Sequence, residues 1–181
     1  MRFTSSFYFK IMDAKTYIKH ASKRINIEEK RWIDVFLSFL KNKSLIFEVG
    51  SGTGRFSNYI EKRGYFLIRS DVDKAFIKYQ SRKFNKMVYL FDIIVGHLPK
   101  KIPKEIDGLF IGCVFNFLSP YGVNSALTNS KKILRSKGYL AFNVSMEWGE
   151  NDVKKLLKKH SLKLERLFQD KWWYYIICKR K

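Results

Sequence analysis

The residues best suited to chemistry form a glycine-rich segment that reads Glu48-Val49-Gly50-Ser51-Gly52-Thr53-Gly54. The segment follows a short apolar run and precedes a helical pattern. In that position glycines permit a tight turn and let the backbone approach a ligand closely. The start of the following helix adds unpaired N–H groups and the positive end of a dipole. The segment therefore predicts a ligand-binding loop.

Two common nucleotide-binding loops are excluded by the spacing of these glycines. The dinucleotide pattern Gly-x-Gly-x-x-Gly needs a glycine at position 55, where the chain has Arg55. A phosphate-binding P-loop needs a lysine after its last glycine, and none follows Gly54. The pattern acidic-x-Gly-x-Gly-x-Gly between strand and helix is fairly specific, and it indicates a different type of loop.

The elements around this loop alternate between two hydrophobic periodicities. Short apolar runs predict strands over residues 45–49, 65–68, 87–91, 108–115 and 139–144. Helical spacing of apolar residues predicts helices over residues 28–40, 55–62, 74–83 and 123–135. Strands that alternate with helices of this length predict βαβ units and a parallel sheet that is covered on both faces.

The carboxyl-terminal part follows another pattern. A helix is predicted over residues 152–160, and two strands over 163–168 and 172–179 flank the short loop at Gln169, Asp170 and Lys171. Two strands joined by so short a loop form an antiparallel hairpin. The predicted fold class is α/β: a three-layer sandwich with a mostly parallel, seven-stranded sheet and a C-terminal antiparallel hairpin.

The glycine segment resembles motif I of the class I S-adenosylmethionine-dependent methyltransferases, which have a Rossmann-like fold. The resemblance continues in order along roughly residues 27–181. Asp71 ends the second strand, where this family holds both ribose hydroxyls, and Asp92 follows the third strand, where the family contacts the adenine amino group. The turn before the fifth strand departs modestly from the family, because Ser136-Lys137-Gly138 replaces Pro-Gly-Gly.

The resemblance implies S-adenosyl-L-methionine as the cofactor, S-adenosyl-L-homocysteine as the product, and no metal. It implies the following cofactor-binding residues: Glu48, Gly50, Ser51, Gly52, Thr53, Gly54, Asp71, Val72, Asp92, Ile93 and Val114. It also implies a single methyltransferase domain over residues 1–181, with an N-terminal helical cap or lid at 1–40 and a cofactor-binding core at 44–181.

Acceptor-side candidates come from the loops after strands four and five and from the N-terminal cap. They are Asn116, Tyr121, Glu147, Trp148 and Tyr17. Each also has an ordinary interpretation as a turn residue, a packing residue or a solvated charge. No catalytic base is evident, which does not argue against an enzyme, because methyl transfer to an amine needs little beyond alignment with the methyl group.

The expected activity is methyl transfer to N or O of a small-molecule or peptide acceptor. The stretch from Asn116 to Tyr121 lacks the Asn/Asp-Pro-Pro-Tyr/Phe motif of enzymes that methylate exocyclic amines of nucleobases, and no Pro-Cys pair offers a thiolate for pyrimidine 5-methylation. Two alternatives stay open: a tRNA or rRNA methyltransferase that uses a basic surface, and a non-catalytic homologue that only binds the cofactor.

The charge balance bears on the acceptor. The 181 residues include 36 Lys and Arg against 16 Asp and Glu, a net charge of +20. Such an excess suits anionic partners, including nucleic acid. Lysine, isoleucine, phenylalanine, tyrosine and asparagine all have A/T-rich codons, however, so compositional bias also explains part of the charge. Whether the acceptor is anionic therefore stays open.

The remaining composition suggests a cytoplasmic protein. Cys113 and Cys178 lie in apolar runs, are typical of small buried residues, and give no sign of an oxidising compartment. The N-terminal stretch does not resemble a secretory signal. The longest apolar runs are far shorter than a membrane span of about 20 residues.

Overall fold

The fold is a seven-stranded mixed sheet covered by helices, in a computed structural model that describes residues 13–20 and 24–181. The strands are β1 (Leu45–Val49), β2 (Phe66–Asp71), β3 (Val88–Leu90), β4 (Ile106–Ile111), β5 (Leu134–Ser145), β6 (Leu162–Gln169) and β7 (Trp173–Arg180). The helices are α1 (Ala14–His20), α2 (Ile27–Ser38), α3 (Arg55–Lys62), α4 (Lys74–Phe84), α5 (Pro120–Ile133) and α6 (Glu150–Lys159). Short 3-10 turns cover Phe115–Phe117 and Met146–Trp148.

The strand order is β3-β2-β1-β4-β5-β7-β6. The first five strands are parallel, and β7 runs antiparallel to both of its neighbours. The predicted α/β class and the C-terminal antiparallel hairpin are therefore confirmed.

Each face of the sheet packs against helices, which explains why the strands are apolar on both sides. On one face, Trp32 and Phe36 of α2 join Phe56 of α3 over Phe110 in a buried cluster. On the other face, α5 and α6 cover the sheet through buried residues that include Val123 and Leu127, and Val153 and Leu157. These two clusters give the predicted three layers.

Helix α2 is anchored at its start and along its buried side. Asn26 and Glu29 form a capping box, in which the Glu29 backbone N–H donates to Asn26 Oδ1 and the Asn26 N–H donates to Glu29 Oε2. The Trp32 indole is fully buried and donates to the Ile176 carbonyl of β7. The helix is thus part of the layer under the sheet.

The strands differ from their predicted bounds near the carboxyl end of β4 and the start of β5. β4 ends at Ile111, not 115, since the chain turns at Cys113, which has a φ of 60°. The predicted turn at Lys137 and Gly138 lies inside β5, which starts at Leu134 rather than 139. There Lys137 has a φ of 61° and the β4–β5 register shifts, so the turn is a bulge within a longer strand.

The topology creates a crevice beside β1. The chain passes from β1 outward to β2 and β3 and then returns to place β4 on the other side of β1. At such a switch point the loops that leave neighbouring strands diverge, and ligands bind at the carboxyl ends of the strands. The glycine loop leaves β1 at this place. No helix in the described part of the chain is long and apolar enough to cross a membrane.

Candidate active site

The three glycines of the loop all have positive φ angles but differ in what surrounds them. A Cβ at Gly50 would lie 2.4 Å from Val114 Cγ2, so this glycine admits the segment that leaves β4. A Cβ at Gly54 would lie 2.9 Å from Gln80 Oε1, so this glycine makes room for a buried side chain. A Cβ at Gly52 would meet no atom of the described chain closer than 4.0 Å. Only Gly52 faces space that a ligand can fill.

The carboxylate of Asp71 lies directly against Gly52. Asp71 Oδ2 accepts from the Gly52 N–H at 2.8 Å, and Oδ1 accepts from the Asp73 N–H at 2.9 Å. Burial raises the pKa of this carboxyl group, while both backbone hydrogen bonds act in the opposite direction. Each oxygen keeps further acceptor capacity. A buried acceptor beside an open glycine suits a ligand that presents adjacent hydroxyls.

Glu48 contributes a second buried carboxyl group. It lies in β1, two residues before Gly50. Its Oε2 accepts from the Ser57 hydroxyl, and its Oε1 has no hydrogen-bond partner among the described residues. Burial raises the pKa of Glu48 to about 7, against the opposing effects of Ser57 and Arg69. Buried polar atoms are nearly always paired, so this acceptor calls for a donor.

Gln80 and Arg69 brace the glycine loop from the side of α4. Gln80 Nε2 donates to Ser51 Oγ at 2.7 Å and to the Gly52 carbonyl at 2.9 Å. Its Oε1 accepts from Arg69 Nη1 at 2.9 Å. Arg69 also pairs with Glu61 at 2.9 Å. Both side chains are fully buried, so the loop conformation depends on this network.

Sequence reasoning missed this pair of residues. The available signal was the charge of Arg69 directly after the apolar run at 65–68, because a buried arginine requires partners. The partners Gln80 and Asn58 lie eleven positions away on either side, on α4 and α3.

The other predicted cofactor-binding residues, Thr53, Val72, Asp92 and Ile93, differ in exposure and contacts. Asp92 Oδ1 accepts from the Ile94 N–H at 2.8 Å and so closes its own turn. Ile93 is buried in the core, whereas Val72 is 63% exposed beside Asp71. Thr53 is buried in the loop. Val72 is therefore the exposed apolar side chain at this edge.

Tyr17 of α1 packs against α4. Its ring packs edge-to-face on Phe76 of α4, with ring centroids 5.6 Å apart. Burial raises the pKa of its hydroxyl, which also interacts electrostatically with Arg55 and Cys113. Arg55 starts α3 and Cys113 follows β4. Tyr17 therefore holds α1 against α4.

Arg55 forms a bidentate ion pair with Glu29. Its two terminal nitrogens lie 2.6 and 2.7 Å from the Glu29 carboxylate oxygens, and Nη2 lies 3.7 Å from Cys113 Sγ. Glu29 is also the capping-box residue of α2. The pair thus ties the N-terminal helices to the first turn after the glycine loop.

The loop that leaves β4 is attached to β5 by two asparagines. The Cys113 N–H donates to Asn143 Oδ1 at 2.6 Å, and the Ser145 N–H donates to Asn116 Oδ1 at 2.9 Å. Asn116 Nδ2 is buried without a partner among the described residues. Asn116 is therefore held between the two strands that border the acceptor side.

The other acceptor-side candidates are less constrained. Tyr121 lies in the first turn of α5 and is 78% exposed. Glu147 is exposed, and Trp148 packs partly buried against the core. Tyr17 and Asn116 are thus the candidates that the fold holds in defined positions. Acceptor-side roles for all five candidates stay predictions.

Comparison with known proteins identifies the family. Residues 47–142 match the family model described as a methyltransferase domain, and this range spans β1 to β5 with the glycine loop, Asp71 and Asp92. The chain belongs to the class I S-adenosylmethionine-dependent methyltransferases. No curated protein matches its sequence.

Solved structures share the whole fold at low sequence identity. A TehB-like methyltransferase from Corynebacterium glutamicum has a TM-score of 0.73 at 22% identity, with 93% of this chain and 96% of that chain covered. The N-methyltransferase NodS from Bradyrhizobium japonicum, in complex with S-adenosylhomocysteine, gives 0.73 at 17%, covering 92% and 96%. The 1,6-didemethyltoxoflavin-N1-methyltransferase from Burkholderia thailandensis gives 0.69 at 13%, covering 83% and 77%. The enzyme class and the methyl-donating cofactor of this chain follow from its family.

Proposed function

We propose that this methyltransferase transfers the methyl group of S-adenosylmethionine to N or O of a small-molecule or peptide acceptor. The observation that carries the cofactor side of the proposal is the open face of Gly52 beside the buried carboxylate of Asp71. The names of two structural relatives support a nitrogen acceptor, since both are N-methyltransferases.

The residues at the carboxyl ends of β1, β2 and β3 fit this cofactor. Asp71 would accept from the ribose hydroxyls, Val72 would cover an apolar face, and Asp92 with Ile93 would border the adenine. Gly50, Ser51, Gly52, Thr53 and Gly54, with Val114 from the β4 side, would form the cradle. The unpartnered Oε1 of Glu48 would gain its donor from the cofactor's ammonium group or from a water that this group orders.

The bound cofactor supplies an electrophilic methyl group on a sulfonium. The chain then has to hold the acceptor in line with that methyl group and exclude water, which is a task of positioning. Tyr17 and Asn116 are the residues that we assign to the acceptor side. An amine acceptor needs no strong base at this point, whereas a hydroxyl acceptor benefits from one.

We propose that helix α1, rather than helix α2, belongs to the lid predicted within residues 1–40. Helix α2 belongs to the layer under the sheet, because Trp32 and Phe36 are fully buried there. Helix α1 instead contacts α4 through Tyr17 and Phe76. Residues 1–12 and 21–23 of the predicted cap lie outside the described residues. A single domain and a cytoplasmic location stay predictions.

An RNA methyltransferase is the second candidate, and the net charge of +20 supports it. One screen separates the two: purified protein is incubated with methyl-labelled cofactor and with separate pools of small molecules, peptides and RNA. Label in the small-molecule or peptide pool is the expected result. Label confined to RNA would establish the second candidate and overturn the first.

A further inference from the structure

A cationic cleft of about 490 Å³ lies away from the glycine loop. The residues that line it are Thr128, Lys131, Lys132, Lys159, His160 and Arg180. They come from α5, from the end of α6 and the residue after it, and from the end of β7. Four of the six are lysine or arginine, and no acidic residue is among them.

The register of the strands places this cleft at the edge of the sheet opposite the glycine loop. Arg180 pairs with Leu162 at the start of β6, and the neighbouring Lys179 pairs with Tyr139 in the first half of β5. The amino ends of the parallel strands therefore border the cleft. The glycine loop leaves the carboxyl end of β1. A ligand in the cleft would not occupy the methyl-transfer site.

The four cations of the cleft lack acidic partners. None of them takes part in the ion pairs found among the described residues. Lys159 Nζ instead donates to Asn124 Oδ1 at 2.8 Å, and the Arg180 guanidinium donates to the Leu134 carbonyl. These neutral acceptors orient the cations without neutralising their charge.

Two lysines on the same helix behave differently. Lys154 lies 2.5 Å from Glu150, and Lys155 lies 4.0 Å from Asp152. Compositional bias toward lysine would place cations along α6 without regard to the cleft. Glu150 and Asp152 of this helix pair with Lys154 and Lys155, whereas Lys159 at the cleft has no acidic partner among the described residues.

The positive charges in the cleft affect the pKa of His160. It is buried, and its pKa is lowered first by burial and then by the charges of Lys159 and Lys131. Helix C-terminal dipoles offset part of the repulsion between cations near the ends of α5 and α6. Arg180 lies on a strand and has no such compensation.

We propose that this cleft binds the phosphoryl groups of a phosphate-bearing anion. Arginine offers a planar fork of donors that matches phosphate oxygens, and the lysines add point charges around it. The imidazole of His160 and the hydroxyl of Thr128 add polar groups to the lining of the cleft. The ligand chemistry is shared by free polyphosphates and by a nucleic-acid backbone.

The test measures binding of two probes, inorganic tripolyphosphate and a short single-stranded RNA, by titration at low salt. The cleft variant Lys131→Gln/Lys159→Gln is compared with the control variant Lys154→Gln/Lys155→Gln. Each variant loses two positive charges, but the control variant leaves all residues of the cleft unchanged. Thermal melting and S-adenosylmethionine binding verify that each variant is folded.

We expect the cleft variant to bind at least one probe about tenfold more weakly or worse, because each charge-assisted contact contributes more than a neutral one. The control should bind like the wild type. Tripolyphosphate binding assigns a small phosphoryl ligand. RNA binding alone, with a log–log salt slope reduced by about 2 in the cleft variant, assigns a nucleic-acid backbone.

Equal losses in the two variants would overturn the proposal, because they would show attraction by net charge rather than by this cleft. The proposal would also be overturned if the wild type bound neither tripolyphosphate nor RNA at low salt.

Discussion

In the proposed function, the side chain of Asp71 serves both the loop and the ligand. Its carboxylate accepts from the Gly52 N–H that shapes the loop, and it retains acceptor capacity for the ribose. The sequence predicted the acidic strand end but not its contact with Gly52, nineteen positions earlier. Such contacts depend on how β1 and β2 pair, which a single strand pattern does not contain.

We expect Asp71→Asn to weaken S-adenosylmethionine binding roughly ten- to a hundredfold, because an amide replaces one acceptor oxygen with a donor. Asp73→Asn is the matched control, since Asp73 caps α4 through the Ala75 N–H and asparagine caps equally well. Calorimetric titration measures both. An affinity unchanged in Asp71→Asn would remove the ribose assignment.

The raised pKa of Glu48 predicts that the free energy of unfolding depends on pH. Its pKa is raised from 4.5 in the reference state to about 7 in the fold. Below the reference value both states are protonated. As the pH rises toward 7, the unfolded chain ionises while the folded protein holds its proton, so Glu48 lowers the free energy of unfolding over this window, by about 1.4 kcal/mol per pH unit at most.

Glu48→Gln removes this titration. Urea unfolding of both proteins at several pH values should show the variant gaining stability relative to the wild type between the two pKa values, with no further gain above the upper one. A stability difference that is constant across this range would contradict the raised pKa of Glu48.

At the scale of elements, strand and helix types follow from hydrophobic periodicity, because each helix buries one stripe and each strand is covered on both faces. The bounds near Cys113 and Lys137 were wrong, since both residues adopt positive φ angles without being glycine. Neither residue type indicates that conformation. The contacts between elements, such as Gln80 with the glycine loop, required the fold itself.

The hydrogen bonds from Gln80 of α4 to the glycine loop can be tested by substitution. Gln80→Met keeps the side-chain volume but removes the donors to Ser51 and Gly52. We expect about tenfold weaker cofactor binding, since a loosened loop has to be ordered on binding. Asn58→Ala is the control, because it also costs Arg69 one partner at 2.8 Å without touching the loop.

Both variants should lower the melting temperature, because each leaves part of a buried guanidinium unpaired. Only Gln80→Met should lose cofactor affinity. If the two lost affinity equally, the network would act through overall stability and would have no positioning role.

Across the whole molecule, which has a net charge of +20, cations differ in whether they are paired with acidic residues. Arg55 and Arg69 beside the glycine loop are paired with acidic residues, whereas the cations of the cleft at the opposite edge are not. Composition predicted the total charge but not this division, because Lys131 and Arg180 meet only once β7 returns beside β5. Arg55 and Arg69 therefore add no unpaired positive charge beside the glycine loop.

The central claim is that the crevice at the carboxyl end of β1 binds S-adenosylmethionine against Gly52. The most direct test is a calorimetric titration of the wild type, Gly52→Val and Gly64→Val with S-adenosylmethionine and S-adenosylhomocysteine. Gly64 is a matched control, because it also has a positive φ and an open Cβ position but lies after α3. Both substitutions should cost about 1–2 kcal/mol of stability through backbone strain.

We expect the wild type and Gly64→Val to bind both ligands with similar affinity. Gly52→Val should melt cooperatively yet show no binding, because its side chain fills the space that the cofactor needs. Binding to Gly52→Val with wild-type affinity, or no binding by the wild type, would contradict the account.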